Sequence, residues 1–244
     1  PVSPNHPAFQ LAMMRRHGDM VRSDGGSAAN EMFLLGGHVG THLDALGHVS
    51  QDGLLYGGVE AAGAQSNHGL TALGIDTVEP ILCRGVLLDV AALHDVEVLE
   101  AGYEVTVEDL EGAAAAAGVT VGKGDAVLIR TGWASHWSDP ELFRGQVGGA
   151  PGPGEAAGHW LAERDVRMSG AETIAYEVIR PGAGHATLPV HRILLVKAGI
   201  HIMEVMNLTA LAAAEVHEFL FIASPLKIVG GTGSPVRPIA VIDE

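Results

Sequence analysis

The distribution of apolar positions along the chain predicts a set of buried strands. Residues 81–90 form an almost continuous apolar run, which is typical of a strand covered on both faces. Strands are also predicted at 126–131 and 166–174. Residues 200–206 alternate as a strand does, although a carboxylate, Glu204, stands among the apolar side chains. The chain is therefore expected to build a sheet from strands spread over most of its length.

Helical signals lie between these strands. The clearest predicted helix spans 106–118, where Thr106 and Asp109 resemble a capping box, an alanine run follows and a glycine closes the segment. An amphipathic helix is predicted at 155–164, and another helix at 191–199. Because strands and helices alternate in unequal order, we predict an α/β fold with a mixed sheet and helices packed outside it.

The first thirty residues differ from the rest of the chain. Three prolines and then a polar stretch at 22–30 indicate an irregular arm over 1–30, with one helical turn near 9–16. Such an arm either crosses to a neighbouring subunit, covers a pocket or forms a mobile terminus, and the sequence leaves these alternatives open. A strand at 32–35 is expected to follow it.

Composition narrows the function classes. A chain of 244 residues is long enough for one domain, predicted here over 1–244, with a substantial core. The net charge of −15 argues against nucleic acid as a partner, and the lack of a long apolar run argues against a membrane span. Cys83 is the single cysteine, so no intrachain disulfide can form. A cytoplasmic location is expected, although an export signal upstream of Pro1 is an open alternative.

The segment 36–50, GGHVGTHLDALGHVS, has the highest density of metal-binding side chains in the chain. It carries His38, His42, Asp44 and His48 within eleven residues. Structural zinc sites are usually rich in cysteine, whereas a set of histidines and a carboxylate is more typical of a catalytic site. We therefore predict that this segment binds one or two divalent ions that activate water for hydrolysis.

Backbone geometry limits how this segment folds. On a straight strand His38 and His42 would lie roughly 13 Å apart, whereas metal–ligand bonds are only about 2.0–2.2 Å long. The chain must bend between the two histidines, and Gly40 is the residue that permits a bend. We expect a strand end that breaks into a tight loop.

Further candidates lie downstream. Glu204 in its apolar strand is costly to bury unless it is paired or bound to a metal, so we predict it as a ligand. His201 lies one residue off the face of Glu204 and is left out of the set. Trp133 and Arg130 follow a predicted strand, at the end where α/β proteins place ligand-facing groups. Both are candidates for substrate binding, and for Trp133 an ordinary place in the core is the open alternative.

The run HVGTHLDALGH at 38–48 resembles the signature H-x-G-T-H-x-D-x-P-x-H of the cyclase family of metal-dependent hydrolases, which includes bacterial kynurenine formamidase and isatin hydrolase. The matching positions are His38, Gly40, Thr41, His42, Asp44 and His48. Leu46 stands where the signature has proline. The resemblance covers most of the chain and implies a β/β/α arrangement with a mixed, partly barrel-like sheet and outer helices.

The resemblance also implies how the site is completed. In the family, a histidine before a short helix and a glutamate at the end of the next strand complete the metal site, and here these match His191 and Glu204. The expected ligands of a Zn²⁺ or Mn²⁺ site, with one or two ions, are His38, His42, Asp44, His191 and Glu204. His48 is not expected to be a ligand and is assigned to proton transfer, as general base or acid.

The predicted function is a metal-dependent hydrolase that opens a cyclic or aryl amide, of the lactam or formamide type, with metal-activated water. An N-formylkynurenine formamidase is the alternative within this class, and Leu46 counts against it. A noncatalytic metal-binding protein on the same scaffold is the alternative of another class, and His48 counts against it. The expected partners are a small amide or lactam substrate and further copies of the chain, as a homodimer or higher homo-oligomer.

Overall fold

The computed structural model describes residues 6–242. The strands are β1 (Gln10–Arg15), β2 (Asn30–Leu34), β3 (His42–Asp44), β4 (Gln65–Ser66), β5 (Gly69–Leu70), β6 (Ile81–Asp89), β7 (Glu104–Val105), β8 (Ala126–Arg130), β9 (Gly152–Pro153), β10 (Met168–Ala171), β11 (His201–Glu204), β12 (Glu218–Ala223), β13 (Gly233–Pro235) and β14 (Ile239–Val241). The helices are α1 (Val90–Leu93), α2 (Val107–Ala117), α3 (Pro140–Phe143), α4 (Glu155–Glu163), α5 (Pro189–His191), which a π-helix continues over Arg192–Ala198, and α6 (Thr209–Ala213).

An eight-stranded mixed sheet forms the centre of the fold. Its strand order is β13-β3-β11-β10-β8-β6-β12-β14. The four middle strands are parallel, and an antiparallel pair flanks them on each side. The sheet curls into a half-barrel with helices packed against it, which confirms the predicted α/β class with a mixed, partly barrel-like sheet.

The core lies on both faces of this sheet, as alternation along β6 shows. Val86 and Leu88 pack into the cluster beneath α2, α4 and the helix after His191. Leu87, between them, packs into a second cluster on the opposite face with side chains of β3 and β12. Because successive strand residues point to opposite faces, a continuous apolar run is what a doubly covered strand requires.

The predicted helices are present. In α2, the Thr106 hydroxyl accepts from the Asp109 N–H and the Asp109 carboxylate accepts from the Thr106 N–H, so the capping box is confirmed. Gly118 ends the helix in the left-handed conformation, and Gly199 does the same for the helix that follows His191. Within residues 6–242, no helix combines the length and the apolar character that crossing a bilayer requires.

The N-terminal prediction was partly wrong. The helical turn expected near 9–16 is instead strand β1, which pairs antiparallel with β2 in a separate hairpin. The pairing overrides the local helical preference of a stretch rich in Leu, Ala and Met. The strand expected at 32–35 is the second half of this hairpin and does not enter the main sheet. Residues 1–5 of the predicted arm lie outside the described residues.

The capping box gives a test of the fold. Thr106→Ala should lower the free energy of unfolding by about 1 kcal/mol, because the N–H of Asp109 loses its acceptor at the start of α2. Urea unfolding measures this change. Thr120→Ala, at an exposed position outside any helix, is the control and should change stability by less than about 0.5 kcal/mol. Equal effects of the two substitutions would contradict the role assigned to the box.

Candidate metal centre

The centre is built on β3 and its neighbour β11. Gly40 has a φ of +60°, so the chain bends before β3 as the spacing of the histidines required. His42 and Asp44 then share one face of β3, because they are two residues apart. Glu204 on β11 pairs in register with His42. The strand ladder therefore sets a carboxylate directly beside a histidine.

His38 approaches from the other side of the bend. Its Nδ1 lies 2.8 Å from Asp44 Oδ1, and its Nε2 lies 3.0 Å from the Thr232 hydroxyl. The ring passes so close to Gly233 that a Cβ there would lie 2.5 Å from it. A side chain at Gly233, which pairs with Asp44 in the sheet, would therefore displace His38.

His191 brings the distant part of the chain to the same point. It ends α5, and its Nε2 lies 3.1 Å from Glu204 Oε1 and 3.7 Å from Asp44 Oδ2. Two groups of potential ligand atoms result, each within 4.8 Å of one another. They are His38, His42 and Asp44, and Asp44, His191 and Glu204. Asp44 belongs to both groups, so the structure brings together all five predicted ligands.

The donor set fits a divalent cation. Both Asp44 oxygens and His42 Nε2 are buried without a hydrogen-bond partner among the described residues. The close approach of His38 Nδ1 to Asp44 lacks the angle of a hydrogen bond. His42 Nδ1 donates to the Gly40 carbonyl at 2.8 Å, so Nε2 is the ring nitrogen that faces the carboxylates. Buried polar atoms without partners are costly, and a cation among them removes that cost.

The electrostatics of the histidines agree with this fit. Burial lowers the pKa of His42, but the Glu204 carboxylate, 3.2 Å from Nε2, raises it to about 9, with a contribution from Asp44. Burial likewise opposes protonation of His191, whereas Glu177 and Glu204 raise its pKa to about 10. Burial works against the charge of Asp44, yet the neighbouring histidines hold its pKa well below its usual range. The carboxylates thus give this pocket a strong affinity for positive charge.

His48 differs from the other histidines of the motif. Its ring centroid lies 4.0 Å from that of His38 and 6.4 Å from that of His191, so it sits beside the ligands. Burial is the main cause that lowers its pKa to about 4; Asp44 opposes this shift, and His38 and His191 add to it. His48 is therefore neutral near pH 7 and has a nitrogen that can accept a proton.

A cavity of about 60 Å³ opens onto this cluster. Its lining residues are His6, His38, His42, His48, Ile174, Ala175, His185, Leu188, His191 and Glu204. His6 and His185 were not predicted from the sequence. His6 stacks on His38 with 5.1 Å between ring centroids, and His185 lies in the loop before α5. Each is an isolated histidine in an irregular segment, so the sequence carries no spacing signal for either.

Comparison with known proteins identifies the family of this chain. The Cyclase family model matches residues 1–178. The chain belongs to the Cyclase family. It is similar to the isatin hydrolase of Roseibium aggregatum, with 29% identity over 231 residues that cover 90% of this chain and 77% of that protein.

Solved structures agree. The crystal structure of a novel cyclase has a TM-score of 0.88 and 32% identity, and the match covers 99% of this chain and 84% of that one. Isatin hydrolase A from Ralstonia solanacearum has a TM-score of 0.71 and 25% identity, covering 96% of this chain and 81% of that one. The fold of this Cyclase family member is therefore shared with them over almost its whole length.

Two candidates from the sequence, Trp133 and Arg130, do not line the cavity. Trp133 is 2% exposed, and its Nε1–H donates to the Phe143 carbonyl at 3.0 Å, so it belongs to the core. Arg130 pairs with Asp89 at 2.8 Å. Neither lines the cavity, and the structure gives no support to their predicted contact with substrate. His201, which was left out of the ligand set, donates from Nδ1 to the Asp44 carbonyl at 2.8 Å.

Replacing the shared carboxylate tests the ligand set. Asp44→Asn keeps the side-chain volume but removes the charge that both ligand groups share, so it should abolish stoichiometric binding of Zn²⁺ or Mn²⁺. Metal analysis after equilibrium dialysis measures this. Asp125→Asn is a matched control at another buried aspartate, which pairs with Arg84 away from the centre, and it should retain the metal. Full metal content in Asp44→Asn would contradict the assignment.

The raised histidine pKa values predict that metal affinity depends on pH. At pH 7 both His42 and His191 carry an extra proton, because their pKa values of about 9 and about 10 lie above the solution pH. A cation must displace these protons, so the apparent affinity should rise with pH, by about tenfold per pH unit for each proton released. Calorimetry in two buffers with different ionisation enthalpies counts the protons. A pH-independent affinity without proton release would show that the assigned charges are wrong.

Proposed function

We propose that this Cyclase family member is a metal-dependent hydrolase that opens a cyclic or aryl amide bond. One observation carries the proposal. The buried Asp44 carboxylate has no protein hydrogen-bond partner among the described residues, and it is shared by two groups of ligand atoms beside a neutral histidine. A purely structural metal site has no need of that histidine.

The chain offers five groups to hold the metal, either one ion or two: His38, His42, Asp44, His191 and Glu204. Imidazole and carboxylate ligands without a thiolate suit Zn²⁺ and Mn²⁺ alike. A bound divalent ion of this kind supplies Lewis acidity, which lowers the pKa of water and stabilises negative charge on a carbonyl oxygen. The remaining tasks, orientation and proton transfer, belong to side chains of the cavity.

His48 is the residue that we assign to proton transfer. Its ring lines the cavity next to the ligands, and in its neutral form a ring nitrogen can accept a proton from an attacking water. The same nitrogen then gives the proton to the departing amide nitrogen, which cannot leave as an anion. General acid–base catalysis of this type contributes typically 10²–10⁴-fold.

The apolar part of the cavity wall indicates which class of substrate would fit. Ile174, Ala175 and Leu188 line the cavity together with the histidines, and such apolar lining favours a substrate with an apolar or aromatic body beside its amide. Similarity to an isatin hydrolase supports a cyclic amide, because isatin contains a lactam. The other candidate, an N-formylkynurenine formamidase, is disfavoured by Leu46, which packs against the core where the family signature has proline.

We also propose that the active form is a homodimer or higher homo-oligomer. Both strands of the β1–β2 hairpin are almost entirely exposed. Its exposed large apolar side chains include Leu11, Met13, Met14, Met32, Phe33 and Leu34. An apolar surface of this kind is typical of a contact between chains, and an isolated hairpin is only marginally stable in water.

Substitution of His48 separates catalysis from metal binding. His48→Ala should retain its metal but lose at least about 100-fold in kcat on the substrate that the wild type hydrolyses best, because no other group is assigned to the proton. A panel of a lactam, an aryl formamide and an ester identifies that substrate, and metal analysis is run on the same samples. His68→Ala, at an exposed position outside the cavity, is the control.

Two results would contradict the proposal. Unchanged hydrolysis by His48→Ala would remove the assigned role of that residue. A wild-type protein that binds metal but turns over no amide, lactam or ester would favour a noncatalytic metal-binding protein instead.

A further inference from the structure

A second buried carboxylate, Glu177, lies behind His191, on the side of the ring opposite the ligand cluster. The Glu177 side chain is 1% exposed. Its Oε1 accepts from the His191 ring Nδ1–H at 2.7 Å and from the His191 backbone N–H at 2.8 Å, and its Oε2 accepts from the Val190 N–H at 2.9 Å. All three hydrogen bonds come from His191 or from Val190, the residue before it.

Among the described residues, no ion pair with a lysine or arginine explains why the Glu177 carboxylate is buried. Within residues 6–242, Glu177 has no lysine or arginine nitrogen within 4.0 Å, and its one charged or chargeable partner is the His191 ring. A buried carboxylate without a cation is costly unless N–H donors satisfy it. The N–H groups of His191 and Val190 that hydrogen-bond to Glu177 are therefore also held in position by it.

The consequence for His191 follows from the chemistry of the two groups. The Oε1 atom of Glu177 accepts from the backbone N–H of His191, so the ring nitrogen that shares this acceptor carries a proton. The other nitrogen, Nε2, lies 3.1 Å from Glu204 Oε1 and 3.7 Å from Asp44 Oδ2, and it becomes the ligand atom when a cation displaces its proton. A neutral imidazole has one lone pair for a metal, and a partner on the far nitrogen decides where it points.

We propose that Glu177 is a positioning residue of the metal centre, which fixes the tautomer and the ring orientation of His191 so that Nε2 is its ligand atom. This inference rests on the proposed function, because it assumes that His191 binds a divalent ion. It adds a residue that contacts no substrate and acts through the ligand.

The backbone before Glu177 supports this role. Tyr176 has a φ of +56°, a conformation that bulky residues rarely adopt, and it is fully buried. Its hydroxyl donates to Ser169 Oγ at 2.7 Å, and its carbonyl accepts from the Thr173 hydroxyl at 3.2 Å. Strained positions held by their surroundings cluster at functional sites. Here the strained residue directly precedes the carboxylate that faces His191.

A strained residue also adjoins Glu204, on its C-terminal side. Val205, the next residue, also has a φ of +56°, which is unusual for a β-branched side chain. Its N–H donates to the Thr173 carbonyl at 3.1 Å, so Thr173 bonds both strained segments. The segments that carry the two carboxylates on either side of the His191 ring are thus connected through Thr173, by its hydroxyl and its carbonyl.

Glu172 provides a matched control for the experiment. It is another fully buried carboxylate, on the segment after β10, and it accepts from backbone N–H groups of Thr131 at 2.9 Å and Gly132 at 2.6 Å. The hydrogen bonds of Glu172 go to Thr131, Gly132 and Leu208, none of which is a proposed ligand. Replacing either glutamate removes a buried carboxyl group, but of the two only Glu177 hydrogen-bonds to a proposed ligand.

The test compares Glu177→Gln with Glu172→Gln in the full chain. Glutamine keeps the volume, but its amide NH₂ cannot accept, so either His191 Nδ1–H or the Val190 N–H loses its acceptor. Zn²⁺ affinity, measured by competition with a chromophoric chelator, should fall 10–100-fold in Glu177→Gln. It should change by less than about threefold in Glu172→Gln, and Glu177→Asp, which keeps an acceptor, should recover part of the loss.

A second measurement uses the wild type alone, so it does not depend on whether a variant folds. In ¹⁵N-histidine NMR spectra of the Zn²⁺-loaded protein, His191 should show a protonated Nδ1 and a metal-bound Nε2. Coordination through Nδ1, or Glu177→Gln binding Zn²⁺ as tightly as the wild type, would overturn the positioning role. A wild type that binds no Zn²⁺ would contradict the proposed function itself, and the inference with it.

Discussion

The buried carboxylate of Asp44 is the constraint on which the rest of this structure depends. Neither of its oxygens has a hydrogen-bond partner among the described residues, and two groups of nitrogen and oxygen ligands converge on it. A charge in that position is sustainable only if another charge compensates it. A divalent cation supplies that compensation. The bend at Gly40 and the register of Glu204 against His42 bring further ligands to the same point.

The fold brings two distant segments of the chain together around Asp44, at one edge of the four parallel strands. β3 lies antiparallel to β11, so the motif near residue 42 and the strand that ends at Glu204 become neighbours in the sheet. The helix that holds His191 leads directly into β11. The left-handed conformations of Tyr176 and Val205 indicate that part of the folding free energy is spent on orienting these groups, which is expected of a site that must be rigid before its ligand arrives.

Much of the fold and of the metal centre could be predicted from local sequence patterns. The remainder depends on contacts between residues that are distant in the sequence. His42 and Asp44 share a face because of the two-residue period of a strand, and α2 is encoded in its capping box. The strand β1 depends on pairing with β2 across a long connection, which no local pattern reports. Glu177 looks like any other glutamate in the sequence, because its burial arises only when α5 packs against it. Trp133 was ambiguous because a core tryptophan and a pocket wall have the same local sequence.

Anomalous diffraction from crystals loaded with Zn²⁺ or Mn²⁺ tests whether a cation binds beside Asp44. One or two peaks are expected at the absorption edge of the metal. Each should contact an Asp44 oxygen, and at least one should also contact Nε2 of His42 or His191. Peaks only at surface histidines, or a fully loaded and active protein with no peak beside Asp44, would contradict such binding.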